Sequence, residues 1–418
     1  MAGEGIRRTR LGSGLRVVTE QLPSLRSVAV GFWVGTGSRD EPDAVAGASH
    51  FLEHLLFKGT EGRDAAEIAE AVESVGGDMN AFTGHETTAF YVRVPDHSLP
   101  LALEILSSIV WSPALRNEDV ESERHVILEE IRMRDDAPDD LVHDVFARAL
   151  YPAHPLGREV AGTQETITAM SREAVAGYHA AHYVPANVVV AVAGNLDHDS
   201  VVEMVERHHP ASRGSTAPRA ERAPLGDPEA VSVLERPLEQ AHVVFGMRAL
   251  RRDDPDRFAL SVLDQVLGGG MSSRLFQEIR ERRGLAYSVF SYRTGYAETG
   301  SLAVYAGTAQ EHVDEVLEVV TKEFDRLIAE GGVSDRELLS AKGHLTGSLA
   351  LSLESSASRM HRIGRTELAL GAVPTLDQVV ADVEAVTADD VGRVIERILT
   401  PGKRSLAVVG PVRATDFS

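Results

Sequence analysis

Val188-Val189-Val190-Ala191-Val192-Ala193-Gly194 is an unbroken apolar run preceded by Tyr183-Val184-Pro185-Ala186-Asn187, and it reads as a strand. A run of the same type, Ser405-Leu406-Ala407-Val408-Val409-Gly410, stands near the other end of the chain. Each half also opens on a strand, Val28-Ala29-Val30-Gly31-Phe32-Trp33-Val34-Gly35 in the first and His242-Val243-Val244-Phe245-Gly246 in the second. In both, an acidic stretch and an amphipathic helix then lead to glycine, at Lys58-Gly59 and at Leu267-Gly268-Gly269-Gly270. Further strands such as Phe90-Tyr91-Val92-Arg93-Val94 and helical patterns at 117–134 and 310–330 lie between. Residues 209–229, rich in Pro, Ser, Arg and Ala, lack apolar periodicity and fall at the midpoint of the chain, as a linker would. The reading is α+β, with two duplicated domains: 1–208, the linker 209–229, and 230–418.

The composition narrows the chemistry. The 418 residues carry 63 acidic and 42 basic side chains, a formal net charge of −21, and no cysteine. Disulfides, iron–sulfur clusters and thiolate zinc sites are excluded, so a metal here must be held by His and carboxylate. At about 150 residues per domain the length fits two or three domains. The acidic balance argues against nucleic acid, which is bound through Lys and Arg, and favours a basic substrate. The N-terminal residues lead into polar sequence, and no run of about 18 apolar residues occurs. A soluble, cytoplasmic protein without a membrane partner is expected.

Residues 44–58, Ala-Val-Ala-Gly-Ala-Ser-His-Phe-Leu-Glu-His-Leu-Leu-Phe-Lys, have helical periodicity, with Val45, Ala48, Leu52, Leu55 and Leu56 as the core stripe and Gly59 as the stop. His50 and His54 then project from one face about 6 Å apart along the axis, close enough to share a tetrahedral metal. Glu53 adjoins them and can reach a metal-bound water without ligating the metal. This is the H-x-x-E-H order. Chance alone supplies about 0.1 such patterns at this composition, so the motif does not by itself establish a site.

A zinc enzyme needs a third protein ligand and an open fourth position. The helical pattern at 117–134, with Asn117 as its N-cap, places Glu123, Ile127 and Glu130 on one face. Carboxylates on an inward face are costly unless paired or metal-bound. Helical geometry does not separate Glu130 from Glu129 or His125, and on the pattern alone a solvated acidic helix is the better reading.

His50-Phe51-Leu52-Glu53-His54, with Glu130 lying 76 residues beyond His54, resembles the pitrilysin (insulinase) family of zinc peptidases, the inverzincins. The likeness is greatest to short two-domain bacterial members similar to the β subunit of mitochondrial processing peptidase. It extends through Asn80-Ala81-Phe82-Thr83-Gly84-His85-Glu86-Thr87-Thr88, His154-Pro155-Leu156-Gly157 with Gly162, Gly268-Gly269-Gly270-Met271-Ser272-Ser273-Arg274-Leu275-Phe276 and Arg280-Glu281-Arg282-Arg283-Gly284-Leu285-Ala286-Tyr287. The resemblance implies two domains, each a mainly antiparallel sheet packed with helices. It implies one zinc ion per chain on His50, His54 and Glu130, Glu53 as general base, and Glu123 as an acidic residue orienting a ligand. Asn80 and Ala81 match an edge strand on which an extended peptide adds. Arg280 and Tyr287 match a pair that binds substrate carbonyls and the oxyanion, whereas taken alone they read as a charge run and a strand residue.

The second half lacks H-x-x-E-H. Ser261-Val262-Leu263-Asp264-Gln265 stands where the ligand helix should be, and Lys342 and Leu349 stand opposite Glu123 and Glu130, so that half is expected to bind no metal. The resemblance further implies a homodimer that encloses peptide or unfolded protein between two chains, with Arg280 and Tyr287 facing the partner's metal site. The rival reading is a catalytically silent scaffold, or a subunit of a heteromeric processing peptidase. Without a G-x-S-x-G elbow or a thiol, other hydrolase classes have little support.

Overall fold

Both apolar runs that decided the reading lie inside sheets in the computed structural model, which describes residues 5–210, 224–400 and 402–417. The first sheet contains β1 (Ile6–Arg10), β2 (Arg16–Gln21), β3 (Ser27–Val34), β4 (Asp78–Thr83), β5 (Thr88–Pro95) and β6 (Val188–Gly194), in the order β1-β2-β6-β3-β5-β4. The second contains β7 (Val231–Glu235), β8 (Ala241–Ala249), β9 (Ala286–Gly295), β10 (Gly300–Thr308) and β11 (Arg404–Gly410), in the order β7-β11-β8-β10-β9. In each sheet one pair is parallel, β2 with β6 and β7 with β11, and the others are antiparallel. Without β1, the first sheet matches the second strand for strand. The α+β duplication with mainly antiparallel sheets is therefore present in the fold.

Strand β6 is apolar at every position because both faces of its sheet are covered. Alternate residues go to alternate layers. Val188, Val190 and Val192 pack with Leu103 and Leu106 of the helix Leu99–Trp111. Val189, Ala191 and Ala193 pack with Met360 and Ile363 of the helix Ser356–Leu370.

That second helix comes from the far end of the chain. The protein forms two compact units, and the first comprises the N-terminal half without Met133–Arg158 and with Leu351–Thr375 added. Two buried carboxylates fasten the added helix: Glu20 pairs with Arg359 and Arg362, and Glu367 with Arg8 and Arg16. In the second unit, reciprocally, Leu141, Val145 and Phe146 of the helix Pro138–Leu150 pack against Val244, Ala407 and Val409. A division at 1–208 and 230–418 thus describes the strands but not these two helices, because an amphipathic pattern shows that a face is buried and not what covers it. The expected linker 209–229 lies largely outside the described residues. No helix among the described residues is long and apolar enough to cross a membrane.

Two local expectations shift slightly. The helix expected over 44–58 is the shorter Ala48–Leu56, preceded by a 3-10 turn at Asp43–Val45 and by Gly47 in the left-handed region, φ 96°. Gly47 also leaves no room for a side chain, since a Cβ there would meet the Ala161 carbonyl oxygen at 2.6 Å. The helix Asn117–Asp135 starts one residue earlier than the Asn117 cap implied. The Arg116 carbonyl accepts the first helical bond, from the Val120 N–H at 3.0 Å, so Arg116 occupies the cap position.

Candidate metal centre

The helix Ala48–Leu56 buries Ala48, Phe51, Leu52, Leu55 and Leu56, which turns His50, Glu53 and His54 away from the core. Its N-terminus is fixed by Glu41, whose buried carboxylate accepts the Gly47 N–H at 2.7 Å and the Ser49 N–H at 2.6 Å. These are two of the donors that a helix start leaves unsatisfied. The side chain of Ser49 bonds the Tyr178 hydroxyl at 3.0 Å, tying the same turn to the helix Arg172–His182.

Opposite, the helix Asn117–Asp135 buries Val120, Glu123, Arg124, Ile127 and Ile131. That face presents Glu130 to both imidazoles, with Oε2 3.7 Å from His50 Nε2 and 3.4 Å from His54 Nε2. The three ligand atoms lie within 4.8 Å of one another. Tetrahedral zinc with bonds of about 2.0–2.1 Å sets its ligands roughly 3.3–3.4 Å apart; the donor set suits that ion, and the two Glu130 distances lie close to that separation. Of the alternatives that helical geometry left open, His125 is exposed, and Glu129 turns outward to pair with Arg132.

Glu123, 3% exposed, lies with Oε2 3.0 Å from His54 Nδ1. A carboxylate oxygen only accepts, so His54 donates from Nδ1, which leaves Nε2 as the nitrogen free of a proton. The other oxygen of Glu123 meets Lys58 Nζ at 2.6 Å.

Glu53 is half-buried between these helices and β4, with Oε2 shielded from solvent and unpartnered among the described residues. Burial pushes its carboxyl above the usual carboxylate range; nearby Glu130 adds to this, while a hydrogen bond from Thr83 and the charge of His54 oppose it. A buried oxygen without a donor, beside three convergent candidate ligands, suits a group that receives a proton from a molecule not drawn from the protein.

Strand β4 ends the first sheet, paired with β5 alone among the described residues. Asn80 and Ala81 sit on it, Asn80 exposed, and the Asn80 side-chain oxygen accepts the Ala81 N–H at 2.8 Å. Arg280 and Tyr287 belong to the second unit. Arg280 lies in the π-helical stretch Phe276–Arg282, a conformation often found at functional positions. Its guanidinium stacks 4.4 Å over the Tyr287 ring and 4.9 Å over Phe276, and donates to the Tyr287 carbonyl at 2.9 Å. Tyr287 is 79% exposed.

In the second unit, the counterpart helices Arg257–Leu267 and Asp335–Ser352 carry Ser261, Gln265, Lys342 and Leu349. Lys342 donates to the Glu384 carbonyl at 2.8 Å. Among the described residues, His50, His54 and Glu130 form the group with metal-binding geometry. Sequence reasoning missed Glu41 and Thr83, whose partners are fixed only by tertiary packing.

A family model described as Insulinase (Peptidase family M16) matches residues 16–164, which include every residue of this centre, and one described as Peptidase M16 inactive domain matches 169–345. An uncharacterized zinc protease of Streptomyces coelicolor is 46% identical over 417 residues, covering 98% of this chain and 90% of that one. An uncharacterized zinc protease of Bacillus subtilis is 39% identical over 409 residues, covering 97% and 98%. The fold is similar to that of the peptidase M16 inactive domain from Pseudomonas fluorescens, with TM-score 0.90 at 24% identity over 98% of this chain and 99% of that one. It is similar also to a protease from Helicobacter pylori, with TM-score 0.89 at 23% identity over 97% and 99%.

Proposed function

The chain belongs to the insulinase family, peptidase family M16, and from that premise we propose that it is a zinc-dependent endopeptidase acting on unfolded peptides. The observation that carries the proposal is the convergence of His50 Nε2, His54 Nε2 and Glu130 Oε2 beside the unpartnered carboxylate oxygen of Glu53.

Zinc in such a site acts as a Lewis acid toward a peptide carbonyl and lowers the pKa of water to near 7. Glu53 takes the proton of the attacking water and returns it to the leaving amine nitrogen. Glu123 holds the His54 ring in the tautomer that ligates. The open edge of β4 receives an extended peptide as a further strand through backbone bonds at Asn80 and Ala81. Arg280 and Tyr287 supply donors for substrate carbonyls and the oxyanion. We assign the working form to a homodimer in which each chain's Arg280 and Tyr287 serve its partner's centre, on the strength of the two-half arrangement that the family resemblance implies.

The test is metal content together with cleavage of a quenched, basic, unstructured peptide by purified protein, with and without chelator, alongside Glu53→Gln. About one zinc per chain, chelator-sensitive cleavage and a Glu53→Gln variant that keeps zinc without cleaving are expected. Zinc without cleavage in the unaltered protein points to a required partner subunit, and absence of zinc to a scaffold. Substantial activity in Glu53→Gln would remove the proposed base.

A further inference from the structure

We propose that Lys58 is a positioning residue of the metal centre, acting on zinc affinity through Glu123 and His54; the inference rests on the metal-centre reading above. Glu123 is a buried carboxylate between two helices, and each of its oxygens has a different task. Oε2 accepts the His54 Nδ1–H at 3.0 Å, and Oε1 meets Lys58 Nζ at 2.6 Å. His54 and Lys58 are four residues apart, so one turn of chain supplies both the imidazole that Glu123 orients and the cation that orients Glu123.

The backbone under Lys58 is itself pinned. Its N–H closes a 3-10-type turn on the Leu55 carbonyl at 3.1 Å, and its carbonyl accepts from Arg116 Nη1 at 3.3 Å. Arg116 Nη2 also holds the Thr60 carbonyl at 2.8 Å. Arg116 directly precedes the helix that carries Glu123 and Glu130, so both ligand-bearing segments meet at this clamp.

A carboxylate held at one oxygen can turn about its last side-chain bond, and the imidazole it holds turns with it. Held at both oxygens it has one orientation. Lys58 therefore sets the direction of the His54 ring without touching the metal, and its charge compensates a carboxylate that would otherwise be buried beside neutral imidazole.

The experiment measures zinc dissociation constants by competition with a chromophoric chelator for the full-length unaltered protein, Lys58→Met, Lys58→Arg, Glu123→Gln and the double variant Lys58→Met/Glu123→Gln. Melts of the zinc-free forms check folding, and Lys58→Gln replaces Lys58→Met if the latter does not fold. Lys58→Met should weaken zinc binding by about tenfold, the lower end of the 10–100-fold range for partners behind a metal ligand. Lys58→Arg should keep most of the affinity, and Lys58→Met should have no further effect once Glu123 is Gln. Unchanged affinity in Lys58→Met, or a full additional loss on top of Glu123→Gln, overturns the assignment. If the unaltered protein takes up no zinc, the metal-centre reading fails and the role of Lys58 with it. If zinc binds normally and Lys58→Met binds it equally well, only the role of Lys58 fails.

Discussion

Glu123 holds His54 by its Nδ1 atom, 3.0 Å away, so that the opposite nitrogen of the same ring points to Glu130. The direction of one bond decides which nitrogen is available to a metal. His54→Ala should abolish stoichiometric zinc binding, and Glu123→Ala should weaken it by about 10–100-fold. Metal analysis after dialysis separates the two, and equal zinc retention in both would contradict the arrangement.

Glu130 and Glu129 are adjacent in sequence and opposite in role. Glu130 faces His50 and His54, whereas Glu129 pairs with Arg132 on the exposed side of the helix. Glu130→Gln should lose zinc, while Glu129→Gln should bind it as before and shift stability by no more than about 0.5 kcal/mol. Loss of zinc in Glu129→Gln would reverse the ligand assignment.

Arg280 backs the exposed Tyr287 ring and holds its backbone carbonyl. Arg280→Ala and Tyr287→Phe should retain zinc and reduce kcat/KM, by about 10²-fold if a single oxyanion donor is removed. Unchanged turnover in both variants would take this pair out of the substrate site.

Acid should weaken the fold well above the carboxylate range. Burial holds the imidazoles of His179 and His182 below their usual pKa, and His179 donates Nε2–H to the Val110 carbonyl at 2.9 Å. Above about pH 6.5 these groups are neutral in both folded and unfolded chains and cost nothing. As pH falls through about 6.5 the unfolded chain takes up protons first, and stability drops until the folded pKa is passed. Zinc-free protein, which removes metal binding from the comparison, should melt lower at pH 5.5 than at pH 7.5. The gap should narrow in His182→Gln, and identical melting at both pH values would exclude the effect.

Gly364 lets the helix Ser356–Leu370 approach the first sheet, for a Cβ there would collide with the Trp33 indole. Met360 fills the adjoining space, its sulfur 3.4 Å from Trp33 Nε1. Gly364→Ala should cost about 1–3 kcal/mol by overpacking, read as a lower Tm, although the metal ligands are untouched. An unchanged Tm would mean that the helix yields without cost.

Much of this was legible in the sequence, and what was not has a physical reason. His50, Glu53 and His54 are close in sequence, so helical geometry alone places them together. The paired apolar runs gave away the duplicated sheets, since strands covered on both faces must be continuously apolar. Helical spacing did not separate Glu130 from Glu129; the family resemblance picked out Glu130, and in the structure Glu130 faces the two imidazoles while Glu129 turns outward. Lys58, Glu41 and Thr83 act through contacts made by packing, and no spacing rule finds them. The same holds for the helix Ser356–Leu370, whose pattern marks a buried face without naming the sheet that buries it.

The origin of that helix also sets a timetable. On the ribosome, every strand of the first sheet has been synthesised once Gly194 is made, yet the cover for Ala29, Trp33, Val189 and Ala191 is made only with Leu351–Thr375. At roughly 5–20 residues per second this leaves the sheet bare for about ten to thirty seconds. During that interval the nascent chain displays an apolar surface of the kind that chaperones recognise, and the helices that carry His50, His54 and Glu130 are complete before the sheet beside them is sealed.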